Sequence, residues 1–395
     1  MKVYADNAAT TRLSDTALAA MMPCFQEVFG NPSSLHSPGQ RAAEKLEQAR
    51  AIFADRLNAE PREITFTSGG SEADNQALRS AAALGARKGK KHIVSTQFEH
   101  HAVLHMLEAL EKEGYEVTLL DIPADGIVTA EQVREALRPD TCLVSVMFAN
   151  NEIGTIQPVA EIGRVCREAG VLFHTDAVQA GGHLEIDVKA MNIDMLSLSA
   201  HKFHGPKGVG VLYAKRGIPL ANVIHGGGQE RGKRAGTENI PGICGAAAAF
   251  DEACAQMGQH REKMEGLRDQ LISGLLSIPH TVLNGDAEKR LPGNVHVCFE
   301  GIEGESLLLL LDAEGIAASS GSACTSGSLD PSHVLLALGR PHEIAHGSLR
   351  LSLCGENTQE EIDHILSVVP EVVRYLREIS PVWDELERGQ RPHLI

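Results

Sequence analysis

One cysteine in this chain lies in a segment unlike any core. Ser319-Ser320-Gly321-Ser322-Ala323-Cys324-Thr325-Ser326-Gly327-Ser328 is built almost wholly of small side chains. Such a run has little apolar surface to bury and reads as a mobile loop spanning about residues 319–331, with the thiol of Cys324 exposed. An exposed thiol on a moving loop suits a nucleophile that attacks in one place and delivers in another. The other seven cysteines, at 24, 142, 166, 244, 254, 298 and 354, sit in apolar or helical contexts and read as small core residues.

Three further groups carry chemistry in combination. Ser68-Gly69-Gly70-Ser71 joins a strand pattern to a helix pattern, and free N–H groups at a helix start attract an anion. Ser71 and Asp74 also have the spacing of a capping box. Asp176 follows an apolar run, with Gln179 three residues on, and ligands of open α/β sheets gather at the carboxyl ends of strands. Lys202, in Ser199-Ala200-His201-Lys202, follows another apolar run and suits a Schiff-base amine. Singly, each has an ordinary reading: a turn, a helix cap, a solvated lysine. Together they offer what pyridoxal phosphate requires: donors for the phosphate, an anion for the pyridinium and an amine for the aldehyde.

Two histidine clusters offer metal-ligand spacing. Glu99-His100-His101 with His105 is one; His342-Glu343-Ile344-Ala345-His346, an H-E-x-x-H match, is the other. Pro341 and Gly347 confine the second match, which reads as a polar loop and a chance occurrence. The glycines of residues 205–210 and 226–228 fit neither a dinucleotide fingerprint nor a phosphate loop and read as turns.

The elements that must position these groups follow from hydrophobic patterning. Short aliphatic runs at 64–67, 92–95, 117–120, 143–148, 171–174, 195–198 and 209–213 read as strands. Between most of them lie Ala-, Glu- and Arg-rich helical stretches such as 72–88 and 160–169. This alternation predicts an α/β fold with a mainly parallel sheet covered on both faces. From about Gln256 the texture changes to an amphipathic stretch over 258–276, a strand pattern at 291–299, a Leu-rich helix at 306–314, a strand at 348–353 and a helix over 358–379. The expected division is a large domain over 15–255 and a smaller α+β domain from 1–14 and 256–395.

Composition excludes several classes. The 395 residues carry a formal net charge of −16, the wrong sign for coating nucleic acid or an anionic membrane. No apolar run approaches the roughly 20 residues that a bilayer span needs. Asp6 precedes any apolar run at the N-terminus, so no signal peptide is expected, and eight cysteines without a C-x-x-C pair fit free thiols in a reducing cytoplasm.

With these residues in view the chain resembles the cysteine desulfurases, pyridoxal-phosphate enzymes of the class V aminotransferase family. The resemblance runs nearly end to end, through Ala5-Asp6-Asn7-Ala8-Ala9-Thr10-Thr11, Asn31-Pro32-Ser33-Ser34, Phe66-Thr67-Ser68-Gly69, Glu99-His100, Asn150-Asn151-Glu152-Ile153-Gly154, His174-Thr175-Asp176-Ala177, His201-Lys202, Arg234-Ala235-Gly236-Thr237-Glu238-Asn239 and the Cys324 segment. Gly236-Thr237-Glu238-Asn239-Ile240-Pro241 is similar to the nitrogenase-associated, NifS-like type. Gly70-Ser71 stands where Ala-Thr is commoner, and the tail from Trp383 departs from the partner-docking end of the housekeeping type.

The resemblance implies a fold-type I homodimer and a set of roles. Lys202 would hold the cofactor and move the Cα proton, Asp176 would pair with the pyridinium, and His100 would stack on the ring and serve acid–base steps. Gly70, Ser71, Ser199 and His201 would hold the phosphate, with Thr237 of the partner subunit reaching in. Gln179 would bond the ring oxygen; Asn151 would contact the cofactor and, with Arg350, fix the substrate carboxylate. L-cysteine would become L-alanine with a persulfide left on Cys324, destined for an iron–sulfur scaffold protein. Through that persulfide Cys324 is also a candidate transient iron–sulfur ligand. The rival readings are a selenocysteine lyase, a class V aminotransferase that needs no loop thiol, a non-enzymatic sulfur carrier or cluster scaffold, and, last, a zinc protease through His342 and His346.

Overall fold

The computed structural model describes residues 1–320 and 331–395, so Cys324 lies outside the described residues. Its largest sheet has seven strands: β2 (Ile64–Thr67), β3 (His92–Thr96), β4 (Glu116–Leu120), β5 (Thr141–Ser145), β6 (Leu172–Asp176), β7 (Met195–Ser199) and β8 (Gly210–Ala214). Their order is β2-β8-β7-β6-β5-β3-β4. The run β7-β6-β5-β3-β4 is parallel, while β8 runs antiparallel to both β2 and β7. The expected parallel sheet is therefore present with one reversed strand. The connection over residues 200–209 is too short for a helical crossover, so the chain turns straight back from β7 into β8.

Every residue of β5, β7 and β8 is buried, as a sheet covered on both faces requires. The helix α3 (Gly70–Ala86) lies close against the sheet because its inner face is small: Ala73, Ala77, Ala81 and Ala82 are buried. At Gly85 even one methyl would come within 2.4 Å of Cys142 Cβ. The helix α1 (Asp15–Gln26) packs on the following long helix, α2 (Ser37–Arg56) packs on that helix and on β2, where Phe53 meets Phe66, and α4 (His101–Lys112), α5 (Ala130–Ala136) and α6 (Val159–Ala169) connect the sheet's strands.

The helix α7 (Ile240–Leu276) is one element of 37 residues, about 55 Å long. Its first turns bury Ala246, Ala247, Ala249 and Phe250 in the large core; its last turns bury Leu267, Leu271 and Leu275 in a second core. The boundary expected at 255/256 thus falls inside a continuous helix, whose polar middle bridges two apolar ends.

The second core is closed by β9 (Thr281–Leu283), β10 (Asn294–Phe299) and β12 (Ser348–Ser352), an antiparallel sheet in the order β12-β10-β9, and by α8 (Gly304–Ala313) and α11 (Gln359–Glu378). The N-terminal strand β1 (Val3–Tyr4) pairs in parallel with β11 (Ile316–Ala317), which carries Val3 and Ala5 into this same core. Two short helices, α9 (His333–Ala337) and α10 (His342–His346), and the C-terminal α12 (Pro381–Glu387) complete the chain. The H-E-x-x-H match is therefore a helical turn rather than a loop, with the rings of His342 and His346 4.6 Å apart. Pro341 and Gly347 hold it to five residues. No described helix is long and apolar enough to cross a membrane.

Candidate active site

The parallel strands end together, and the cleft opens at their carboxyl ends. A cavity of about 380 Å³ there is lined by Ala8, Ala9, Gly70, Ser71, Asp74, His100, Met147, Asn151, Asp176, Val178, Gln179, Ser199, His201, Lys202 and Arg350. Asp176 is the last residue of β6; Phe148 N–H donates to its main-chain oxygen at 2.8 Å and Val178 N–H donates to its carboxylate at 2.9 Å. Lys202 ends the short turn that follows β7. Its ammonium donates to the carbonyls of Ala8 at 2.6 Å and Ala9 at 2.9 Å.

Those two carbonyls belong to an N-terminal strap across the cleft. Thr11 donates to the His201 carbonyl through its N–H at 2.9 Å and its hydroxyl at 3.0 Å. On the other side Asn7 Nδ2 donates to the Ser352 carbonyl and Ala8 N–H to the Ser352 hydroxyl. The strap therefore ties the lysine turn to β12. Arg350 on β12 is 2% exposed; its Nη1 donates to the Asn151 carbonyl at 2.9 Å and its Nη2 to Asp6 Oδ1 at 3.0 Å. Its Nε is buried with no hydrogen-bond partner among the described residues.

His100 caps the start of α4, where its Nδ1 accepts from Ala102 N–H at 3.1 Å. That bond leaves the ring proton of the neutral imidazole on Nε2. Burial, then the nearby Lys202 and three neighbouring histidines, lower its pKa to about 4, so it is neutral at physiological pH. Burial and Lys202 likewise lower His201 to about 4.

The floor of the cleft concentrates carboxyls. Burial raises Asp74, and the neighbouring Asp176 and Glu99 add to it; burial also raises Asp176, with the Val178 N–H and Lys202 acting in the opposite sense. Burial raises Glu99 to about 8. Asp74 Oδ1 and Glu99 Oε2 are buried without a hydrogen-bond partner among the described residues. Below them His174, fully buried, is wedged between the hydroxyls of Ser145 at 2.9 Å and Ser197 at 3.1 Å, and burial takes its pKa to about 3. Burial disfavours the charged form of all three carboxyls, so each keeps its proton to higher pH than usual, and His174 Nε2 stands 3.6 Å from Asp74 Oδ1.

Both ends of the Cys324 segment are tied to this site. On one side Ser319 and Arg350 exchange main-chain hydrogen bonds at 3.2 and 2.6 Å. On the other the Ser332 hydroxyl donates to the buried Glu152 carboxyl, and His333 Nε2 donates to the Glu99 carbonyl at 3.0 Å.

Residues 3–365 match the family described as aminotransferase class-V. The chain belongs to that family. A cysteine desulfurase named IscS from Clostridium botulinum is 55% identical over 392 residues, 98% of each chain. A cysteine desulfurase named NifS from Azotobacter vinelandii is 48% identical over 383 residues, 96% of this chain and 95% of the relative. A solved structure titled NifS-like protein superposes with a TM-score of 0.89 at 40% identity, over 95% of this chain and 100% of that one.

In this class V chain the residues singled out from sequence at 70, 71, 100, 151, 176, 179, 199, 201, 202 and 350 line one cavity. Thr237 is exposed and does not line its own chain's cleft. Gln179 Nε2 is engaged with the Ala8 carbonyl at 3.0 Å. The capping box expected of Ser71 and Asp74 is absent: Gly69 is the N-cap, without a side-chain bond, and Asp74 faces the buried floor. Instead Glu72 reaches back to accept from Ser68 N–H at 2.8 Å. His101 and His105 stack on one another at 5.0 Å, and His101 lies 4.6 Å from His333. The sequence reading took Asp74 only as a helix cap and Glu99 only as part of a metal-spaced cluster, and gave no site role to Glu152, Met147 or the Ala8 and Ala9 carbonyls. Asp74 had a signal, since it lies among Ala73, Ala77 and Leu78 on the apolar side of its helix. The carbonyls had none, because any residue supplies one.

Proposed function

We propose that this chain is a pyridoxal-phosphate-dependent cysteine desulfurase. It would act as a cytoplasmic homodimer that passes sulfur to an iron–sulfur scaffold protein, with nitrogenase among the customers its Gly236-Thr237-Glu238-Asn239 segment suggests. The observation that carries the reading is the convergence of Lys202, Asp176, His100 and Arg350 on one cleft at the carboxyl ends of the parallel strands.

The donor set fits the cofactor. At Gly70 a Cβ would lie 2.7 Å from Val178 Cγ2, so an alanine here needs that valine methyl to give way, and the α3 terminus presents main-chain N–H groups beside the hydroxyls of Ser71 and Ser199. Those groups and His201 would hold the phosphate, with Thr237 of the partner subunit. Asp176 would hold a protonated ring nitrogen, whose positive charge would ease the repulsion with Asp74 and Glu99. Lys202 would supply the amine, Gln179 would bond the ring oxygen and Asn151 would line the substrate side. When bound, the cofactor supplies an aldehyde and an electron sink.

The chain's own residues do the rest. Arg350, clamped by Asp6 and the Asn151 carbonyl, would offer its Nε, unpartnered among the described residues, to a substrate carboxylate. Lys202 Nζ takes the proton from the substrate Cα and returns one to the product. Neutral His100 carries a proton at Nε2 and handles proton transfer beside the substrate sulfur. The Cys324 thiol takes the sulfur: L-cysteine and the thiol give L-alanine and a Cys324 persulfide, a redox-neutral exchange in which the C–S bond breaks and an S–S bond forms. Exposed Met22, Phe25, Phe29 and Leu35, on and beyond α1, support a second copy covering that face.

Cys324→Ala tests the reading. The variant is expected to bind pyridoxal phosphate with its yellow absorbance intact yet release no alanine from cysteine. Full turnover without Cys324, or a wild-type protein that binds no pyridoxal phosphate, would overturn it.

A further inference from the structure

Away from the cleft, the C-terminal tail is fastened to the smaller core by a compact set of ligating atoms. His280, Glu300 and His393 each present one ligating atom, all within 4.8 Å of one another. His393 Nδ1 is 2.8 Å and His280 Nδ1 3.3 Å from Glu300 Oε2, and the main-chain oxygen of Ile395 is 2.7 Å from His280 Nδ1. Two donors on one tetrahedral zinc ion sit roughly 3.4 Å apart, as follows from Zn–N and Zn–O bonds of about 2.1 Å. The cluster already approaches that spacing.

Its supports are those of a built ligand set. Glu300 is 3% exposed, and its other oxygen accepts from Leu394 N–H at 2.6 Å, which aims Oε2 at the two imidazoles. Arg377 holds both ligand-bearing backbones, donating to the Glu300 and His280 carbonyls at 3.0 Å each. Trp383 sets its edge against both rings, at 5.4 and 5.6 Å. His280 adopts φ 54°, a left-handed conformation in which histidine is uncommon but which directs its ring at Glu300.

The geometry points to a divalent transition-metal site formed by His280, Glu300 and His393, which clips the tail to the body of the protein. Each imidazole shifts its proton to Nε2 and offers the Nδ1 lone pair; Glu300 supplies the negative charge, and the Ile395 oxygen stands as a fourth donor. The stacked rings, 3.8 Å apart, turn outward to admit the ion. Imidazole with carboxylate suits zinc and its first-row neighbours.

The test uses the full-length, cofactor-loaded protein freed of metal and titrated with Zn²⁺ against a chromophoric chelator. One zinc per chain is expected, with an X-ray absorption spectrum showing imidazole and oxygen but no sulfur. His280→Gln and His393→Gln should each weaken zinc by about 100-fold or more while cysteine turnover is unchanged. His393 lies on the exposed tail, so its variant reports even if His280→Gln misfolds. Zinc should also protect the tail from trypsin at Arg388, where a cut would release His393. A shell containing sulfur, variants that bind like the parent, or no zinc retained would each overturn the proposal.

Discussion

At the cleft, Asp74 Oδ1 and Glu99 Oε2 are buried with no hydrogen-bond partner among the described residues, whereas Glu230, equally buried where it pairs with Arg50, has both oxygens engaged. There both guanidinium ends meet the carboxylate at 2.8 Å, and Phe66 N–H adds a third donor. A fold alone has no reason to bury an unsatisfied carboxyl, since each costs about 1–3 kcal/mol and more when charged. Glu230, paired with Arg50, holds structure; Asp74 and Glu99, beside the cleft, keep oxygens that no described residue meets.

Three substitutions probe that division, the largest effect first. Lys202→Ala should lower desulfurase turnover by about 10³-fold or more and abolish borohydride trapping of the cofactor, while leaving thermal stability near the parent's. A variant that still traps the cofactor would place the amine elsewhere. Arg50→Ala should do the reverse: it strands Glu230 and should cost about 3–5 kcal/mol in denaturant unfolding, with the cleft's chemistry intact in the folded fraction. If Arg50→Ala lost activity with stability unchanged, the division between structural and functional charge would fail.

Glu99→Gln gives the smallest and most diagnostic effect. The folded state raises this carboxyl from an ordinary value near 4.5 to about 8, so the folded protein favours the protonated form. Stability from this group is complete below about pH 4.5 and is lost as pH rises toward 8. Glutamine keeps an oxygen for Met147 N–H and Thr96 and carries no charge. The melting temperature of the variant should therefore fall less than the parent's between those pH values. Parallel pH profiles would show that Glu99 is already neutralised by a partner.

Much of this was legible before the coordinates. The strands showed because fully buried parallel strands are unbroken apolar runs, and Asp176 and Lys202 stood out as polar groups ending such runs. The Cys324 segment stood out by composition alone. The reversed strand β8 was not legible, because a buried strand reads the same in either direction. The unity of α7 was hidden by its polar middle, which bridges two cores instead of packing in one. Asp74 was misread because capping is a local rule and its burial is set by sheet contacts far along the chain. The tail cluster joins residues 280, 300 and 393, and no local spacing announces a meeting of that kind.

The central claim is that cysteine sulfur passes to Cys324 in a cleft served by Lys202. A single-turnover reaction with substoichiometric L-cysteine, followed by mass spectrometry of the Cys324 peptide and amino-acid analysis, tests it most directly. The account predicts one alanine released for each sulfur atom gained on Cys324. Amino transfer to an oxo acid with the peptide unmodified, or alanine formed while the added sulfur sits on another cysteine, would contradict it.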